Sequence, residues 1–155
     1  MRWMILLGLV PLLASTASAE EWSFEGGGTP IAYVDNGAAQ FQFACRGGDL
    51  AMGFWVRAPH KQVAGAAAMH VAITPDPPAG GTSFAQEIPL IHSDGSSVIV
   101  RGPVARQWAA IAQRAKQNIR VAYVRTGGGR ETLDSNDFGA KGSSAAIKRV
   151  LERCG

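Results

Sequence analysis

Residues 39–56 read AQFQFACRGGDLAMGFWV, and their alternation decides the fold class. Phe41, Phe43 and Cys45 fall on one side of an extended chain and Gln40, Gln42 and Ala44 on the other, the period-2 pattern of a half-buried strand. Arg46-Gly47-Gly48-Asp49 is a turn signal. Alternation then resumes, with Leu50, Met52, Phe54 and Val56 on one side and Trp55 on the other. Two alternating runs around a short glycine-containing loop predict a β-hairpin.

The same pattern continues on both sides of this hairpin. Ile31–Val34 is a short strand candidate, and Met69, Val71 and Ile73 alternate with His70, Ala72 and Thr74. PDPPAGG at 75–81 breaks the chain. Phe84–Ile91 reads as one weaker strand, placed at a sheet edge by Pro89. Asp94-Gly95 is a turn signal before Val98, Ile99 and Val100, and Ile119–Val124 is the last strong strand. Helical spacing appears twice. Pro103 opens a helix over 104–116 whose apolar face carries Val104, Trp108, Ile111 and Ala115. A second helix runs from Ser143 or Ser144 to the chain end, with Ala146, Ile147, Val150, Leu151 and Cys154 on one face. The expected fold is mainly β, antiparallel and sandwich-like, with two helices, one of them C-terminal.

The first 19 residues predict export. Arg2 gives a positive start, Met4–Leu13 an apolar stretch, and Ala17-Ser18-Ala19 a small-x-small cleavage site before Glu20. The apolar run is shorter than the ~20 residues of a membrane span, and no Cys stands at the cleavage point for a lipid anchor. Residues 20–155 then form one globular domain, periplasmic or secreted, with no membrane span. In that oxidising setting the two cysteines, Cys45 and Cys154, predict one disulfide. Each falls on the apolar side of its element, so the bond would clamp the terminal helix onto the first long strand. Closing so long a loop is worth about 4 to 5 kcal/mol on a chain-entropy basis.

Function is less legible. A formal net charge of +3 spread along the chain gives no concentrated basic face, which argues against nucleic-acid binding. His60, His70 and His92 are not at metal-ligand intervals, and Asp134, Asn136 and Asp137 lack the rest of a calcium loop, so they read as turn formers and no metal or cofactor is expected. Gly127-Gly128-Gly129-Arg130 lacks the Lys-Ser/Thr of a phosphate loop, and no nucleophile elbow is present. No catalytic residue is assigned and an enzyme is disfavoured. Trp55 reads as core on the second sheet face, the favoured alternative, or, if exposed, as a recognition anchor.

Cys45-Arg46-Gly47-Gly48, together with Phe138, Gly142, Ser143, Ala146, Ile147 and Cys154, resembles a pattern in small secreted proteins of Gram-negative bacteria. In layout the chain is similar to VasI-type secretion-associated proteins and to invasion-associated locus B proteins. The resemblance implies a β-sandwich-like fold and a periplasmic location, and carries over no catalytic residue. The expected function is a non-enzymatic module binding an envelope protein or a cell-wall ligand. A secreted inhibitor or effector acting on a host or competitor protein, and a small hydrolase, are the alternatives.

Overall fold

The stretch at 39–56 forms strands β3 (Ala39–Arg46) and β4 (Asp49–Val56), paired antiparallel with Phe41 opposite Phe54 and Phe43 opposite Met52. The structure is a computed structural model that describes residues 20–79 and 83–154; the expected export signal, residues 1–19, lies outside the described residues. The other elements are β1 (Ser23–Glu25), β2 (Ile31–Asp35), α1 (Lys61–Ala64), β5 (Ala68–Pro75), β6 (Phe84–Pro89), β7 (Ile91–His92), β8 (Ser96–Arg101), α2 (Pro103–Arg114), β9 (Asn118–Thr126), β10 (Arg130–Gly139) and α3 (Ser143–Leu151).

The strands form two antiparallel sheets, one in the order β1-β2-β3-β4-β8-β7 and one in the order β10-β9-β5-β6. Their inner faces meet through aromatic side chains. Phe54 lies 5.2 Å from Tyr123 and 6.4 Å from Phe138 between ring centroids, and Phe41 lies 5.9 Å from Phe138. These pairs cross from sheet to sheet and join one continuous apolar cluster. Helix α2 packs on β4, β5 and β8, and its buried Trp108 meets Phe84 edge-on. Helix α3 packs on α2 and on β1, β2 and β3. The mainly β, two-sheet fold expected from alternation is the observed one, with α1 as an additional single turn.

Cys45 and Cys154 are bonded, with Cα atoms 5.5 Å apart and 109 residues between them in sequence. Both are buried, as their periodicities required. Helix α3, however, stops at Leu151 and not at the chain end. Cys154 follows in a turn whose N–H donates to the Leu151 carbonyl at 3.2 Å. The bond thus holds the segment just past the helix.

Two strand expectations need correction, and one strand was not foreseen. The run at 84–91 is not one strand. It divides at Leu90, whose N–H donates to Ala67, so that β6 edges one sheet and β7 edges the other. Pro89 does lie on an edge strand, where its missing donor costs no ladder bond. The polar run Leu133–Asp137, expected as a turn, belongs to β10, the longest strand, with a register shift between Thr132 and Asp134. Its polarity reflects an edge strand with one solvated face; Asn136 and Phe138 turn inward. Strand β1 had no signal because three residues are too few to show a period.

Candidate functional site

The outer face of the six-stranded sheet follows directly from the register. Gln40, Trp55, Ser97 and Ile91 stand side by side in one row across β3, β4, β8 and β7. The next row holds Tyr33, Gln42, Gly53 and Ile99, and the one after it Ile31, Ala44, Ala51 and Arg101. Arg46, at the end of β3, shares their side. Small residues, Ala44, Ala51 and Gly53, occupy the middle of the two central strands. A groove therefore runs along β4, walled by the glutamines of β3 on one side and by Ile99 and Arg101 of β8 on the other.

Two adjoining recesses make up this groove. One, about 180 Å³, is bounded by Trp55, Gln40, Ser97 and Ile99. The second, about 90 Å³, is bounded by Ala44, Ala51, Arg46 and Arg101. The Gln42 side chain lies between them. A Cβ added at Gly53 would sit 3.0 Å from Gln42 Cγ and 3.1 Å from its Nε2, so the amide occupies the space that the glycine leaves.

Trp55 stands at the head of the groove, half-buried on the outer face, and does not belong to the core. The expectation that favoured core assumed that a layer covers the second face, and none packs there among the described residues. Its orientation is set from two sides. The indole N–H donates to the Asp94 carbonyl at 3.1 Å, and the Arg57 guanidinium lies 4.6 Å from the ring centroid. Arg57 is itself held by both carboxylate oxygens of Asp35, and this contact keeps the Asp35 carboxyl below its usual range. Asp94 and Gly95 form the β7–β8 turn, both with positive φ, at 54° and 122°. The Asp-Gly signal in the sequence thus has a role beyond turning the chain: it presents the carbonyl that fixes Trp55.

The face has apolar and cationic parts. Ile91 and Ile99, 49 % and 48 % exposed, are the large apolar side chains that stand in solvent among the described residues, and both belong to this face. Arg46 and Arg101 at the other end form no ion pair among the described residues.

The remaining candidate residues are dispersed. His60 Nδ1 accepts from the Gln62 N–H at the start of α1, His70 faces Thr126, and His92 Nε2 lies 2.7 Å from the Ala66 carbonyl. Asp134 accepts from the His60 N–H at 2.7 Å, and Asp137 forms a two-pronged ion pair with Arg120. Asp134 and Asp137 are three apart on a strand and so face opposite sides of the sheet. The described residues contain no group of three or more His, Cys, Asp or Glu that could hold a metal. Groups with displaced pKa values are likewise scattered. Burial raises Tyr123 to about 12, and backbone N–H groups of Gln117, Lys116 and Asn118 lower Asp76.

Sequence reasoning named Trp55 but missed Gln40, Gln42, Ile99, Arg46 and Arg101. Alternation had already set the glutamines opposite the buried phenylalanines. Only the pairing of β4 with β8, 40 residues downstream, brings Ile99 and Arg101 beside them.

No family model and no curated protein matches the chain. Among solved structures, it is similar to invasion associated protein B from Bartonella henselae, at 14 % identity and a TM-score of 0.58, over 88 % of this chain and 95 % of that one. At this identity the likeness is one of fold.

Proposed function

We propose that the chain is a non-enzymatic interaction module that works outside the cytosol, in the periplasm or after secretion, and binds an envelope protein through the outer face of its six-stranded sheet. One observation carries the reading: Ile91 and Ile99, both about half exposed, share a single face with Trp55, on the two strands to one side of it. An aromatic anchor beside exposed aliphatic side chains, with a polar rim of glutamine and arginine, has the composition of a protein-binding surface. Scattered single apolar residues need no explanation, whereas a contiguous set does. The disulfide supports an oxidising compartment. No helix among the described residues is long and apolar enough to cross a membrane.

Site-specific photo-crosslinking tests it. A photoreactive residue at position 99 should label one envelope protein, while the same residue at position 87, exposed on β6 of the other sheet, should not. Excess unlabelled protein should compete, and the Trp55→Ala variant should not. Equal labelling from both positions would overturn the proposal, as would a product consisting only of glycan strands.

A further inference from the structure

The groove has a direction, and its two ends differ in chemistry. At one end Trp55 and Ile99 border the larger recess, and the nearby Arg57 is neutralised by Asp35. At the other end Arg46 and Arg101 border the smaller recess without an ion-pair partner among the described residues. Asp49 lies opposite Arg46 at the mouth of the hairpin, but it does not border that recess. The surplus of charge within the groove is therefore positive and confined to one end. Between the ends the Gln40 and Gln42 amides make no hydrogen bond among the described residues, so both offer donors and acceptors to whatever lies above them.

Resting on the reading of this face as a protein-binding surface, we infer that its occupant is an extended acidic segment of the partner. Such a segment would lie along β4, with an apolar side chain in the Trp55–Ile99 recess and a carboxylate at Arg46 and Arg101. The spacing follows from strand geometry. Trp55 and Ala51 are four residues apart, about 13 Å along the strand. An extended peptide covers that distance in about four residues, so the carboxylate belongs three or four positions from the apolar side chain. The amides of Gln40 and Gln42 meet the peptide groups between them. Arginine suits the carboxylate end because its planar fork pairs with both oxygens. A second copy of this chain is a poor occupant, since the residues lining the same groove include no carboxylate to meet Arg46 and Arg101.

The test is selection of random displayed dodecapeptides on the immobilised protein lacking residues 1–19, followed by fluorescence anisotropy with the enriched peptides. Enriched sequences should share an apolar residue with Asp or Glu three or four positions away. Arg46→Gln and Arg101→Gln should each weaken binding about 3- to 10-fold, as expected for a charge-assisted contact. Replacing the peptide's acid by its amide should abolish that difference, and raising the salt should shrink it. Trp55→Ala and Ile99→Ser, each first checked for an unchanged fold by circular dichroism, should weaken all selected peptides about tenfold or more. Neutral or basic consensus sequences, or arginine variants that bind normally, would overturn the acidic-segment inference while leaving the protein-binding face standing if the Trp55 and Ile99 variants still fail. Peptides indifferent to all four substitutions, or no enrichment at all, would overturn both.

Discussion

Gly53 faces Gln42 across the β3–β4 ladder, and the Gln42 amide lies where a side chain at position 53 would begin. The nearest atoms, Gln42 Cγ and Nε2, belong to a flexible side chain that can give by a few tenths of an ångström. Gly53→Val should therefore fold, with stability within about 1 kcal/mol of the parent, because a β-branched residue suits a strand and the lost glycine entropy offsets the crowding. The branched side chain would nevertheless fill the groove and push Gln42 aside. Urea unfolding together with the position-99 crosslink should show near-normal stability and loss of labelling.

Gly95 has no such freedom. A Cβ there would meet the Val56 carbonyl oxygen at 2.2 Å and Trp55 Nε1 at 2.9 Å, and its φ of 122° already excludes an ordinary side chain. Gly95→Ala should cost about 2 kcal/mol or more through backbone strain and release the indole from Asp94. A red shift and increased quenching of tryptophan fluorescence relative to the parent would report that release.

Trp55 and Trp108 should behave differently on truncation. Trp108 is fully buried, so Trp108→Ala should cost about 3 to 5 kcal/mol. Trp55 is half-buried and loses one hydrogen bond and one cation–π contact, so Trp55→Ala should cost only about 1 to 2 kcal/mol. Equal costs in denaturant titrations would place Trp55 in the core after all.

Breaking the covalent tie by Cys154→Ser should lower stability by about 2 to 5 kcal/mol. The loss should appear first in α3, which is only 9 residues long and marginal without its packing. Amide hydrogen exchange should show α3 opening well before β3 and β4.

Tyr123 gives an alkaline signature. Its hydroxyl lies 3.3 Å from Ser96 Oγ in a buried setting, and burial holds its pKa at about 12 against an ordinary 10.0. The folded state resists ionisation more than the unfolded one does, so this contribution is complete below pH 10 and is lost as pH rises from 10.0 to about 12. A shift of about two pKa units corresponds to roughly 2 to 3 kcal/mol. Unfolding free energies measured from pH 8 to 12 should fall across that window, and Tyr123→Phe should flatten the fall.

Much of the architecture was legible because it depends on local periodicity. The hairpin at 39–56 repeats apolar residues every second position, and α2 repeats them every third or fourth, so each announces its own buried side. Strand β10 escaped because its residues satisfy a partner and not a pattern: Asp137 pairs with Arg120 and Asp134 ties down the α1 loop. Leu90 could not be read as a division point, since nothing local says that its two flanks join different sheets. The groove was the least legible feature. It consists of absences on β4, at Ala51 and Gly53, framed by residues from β3 and β8, and pairing between distant strands has no signature in a single run of sequence.

The bond between Cys45 and Cys154 encloses the chain from the end of β3 to the last turn, leaving β1, β2 and most of β3 outside the loop. Any single backbone cut between these two positions, whether in the turn after β5 or in the glycine triplet at 127–129, leaves both fragments covalently joined. A protease would nick such a molecule without dismembering it. Two bands on a reducing gel would still run as one without reductant, and the strands on either side of the cut could stay paired. Wherever the folded chain meets a protease, the cross-link thus converts a lethal scission into a tolerated scar.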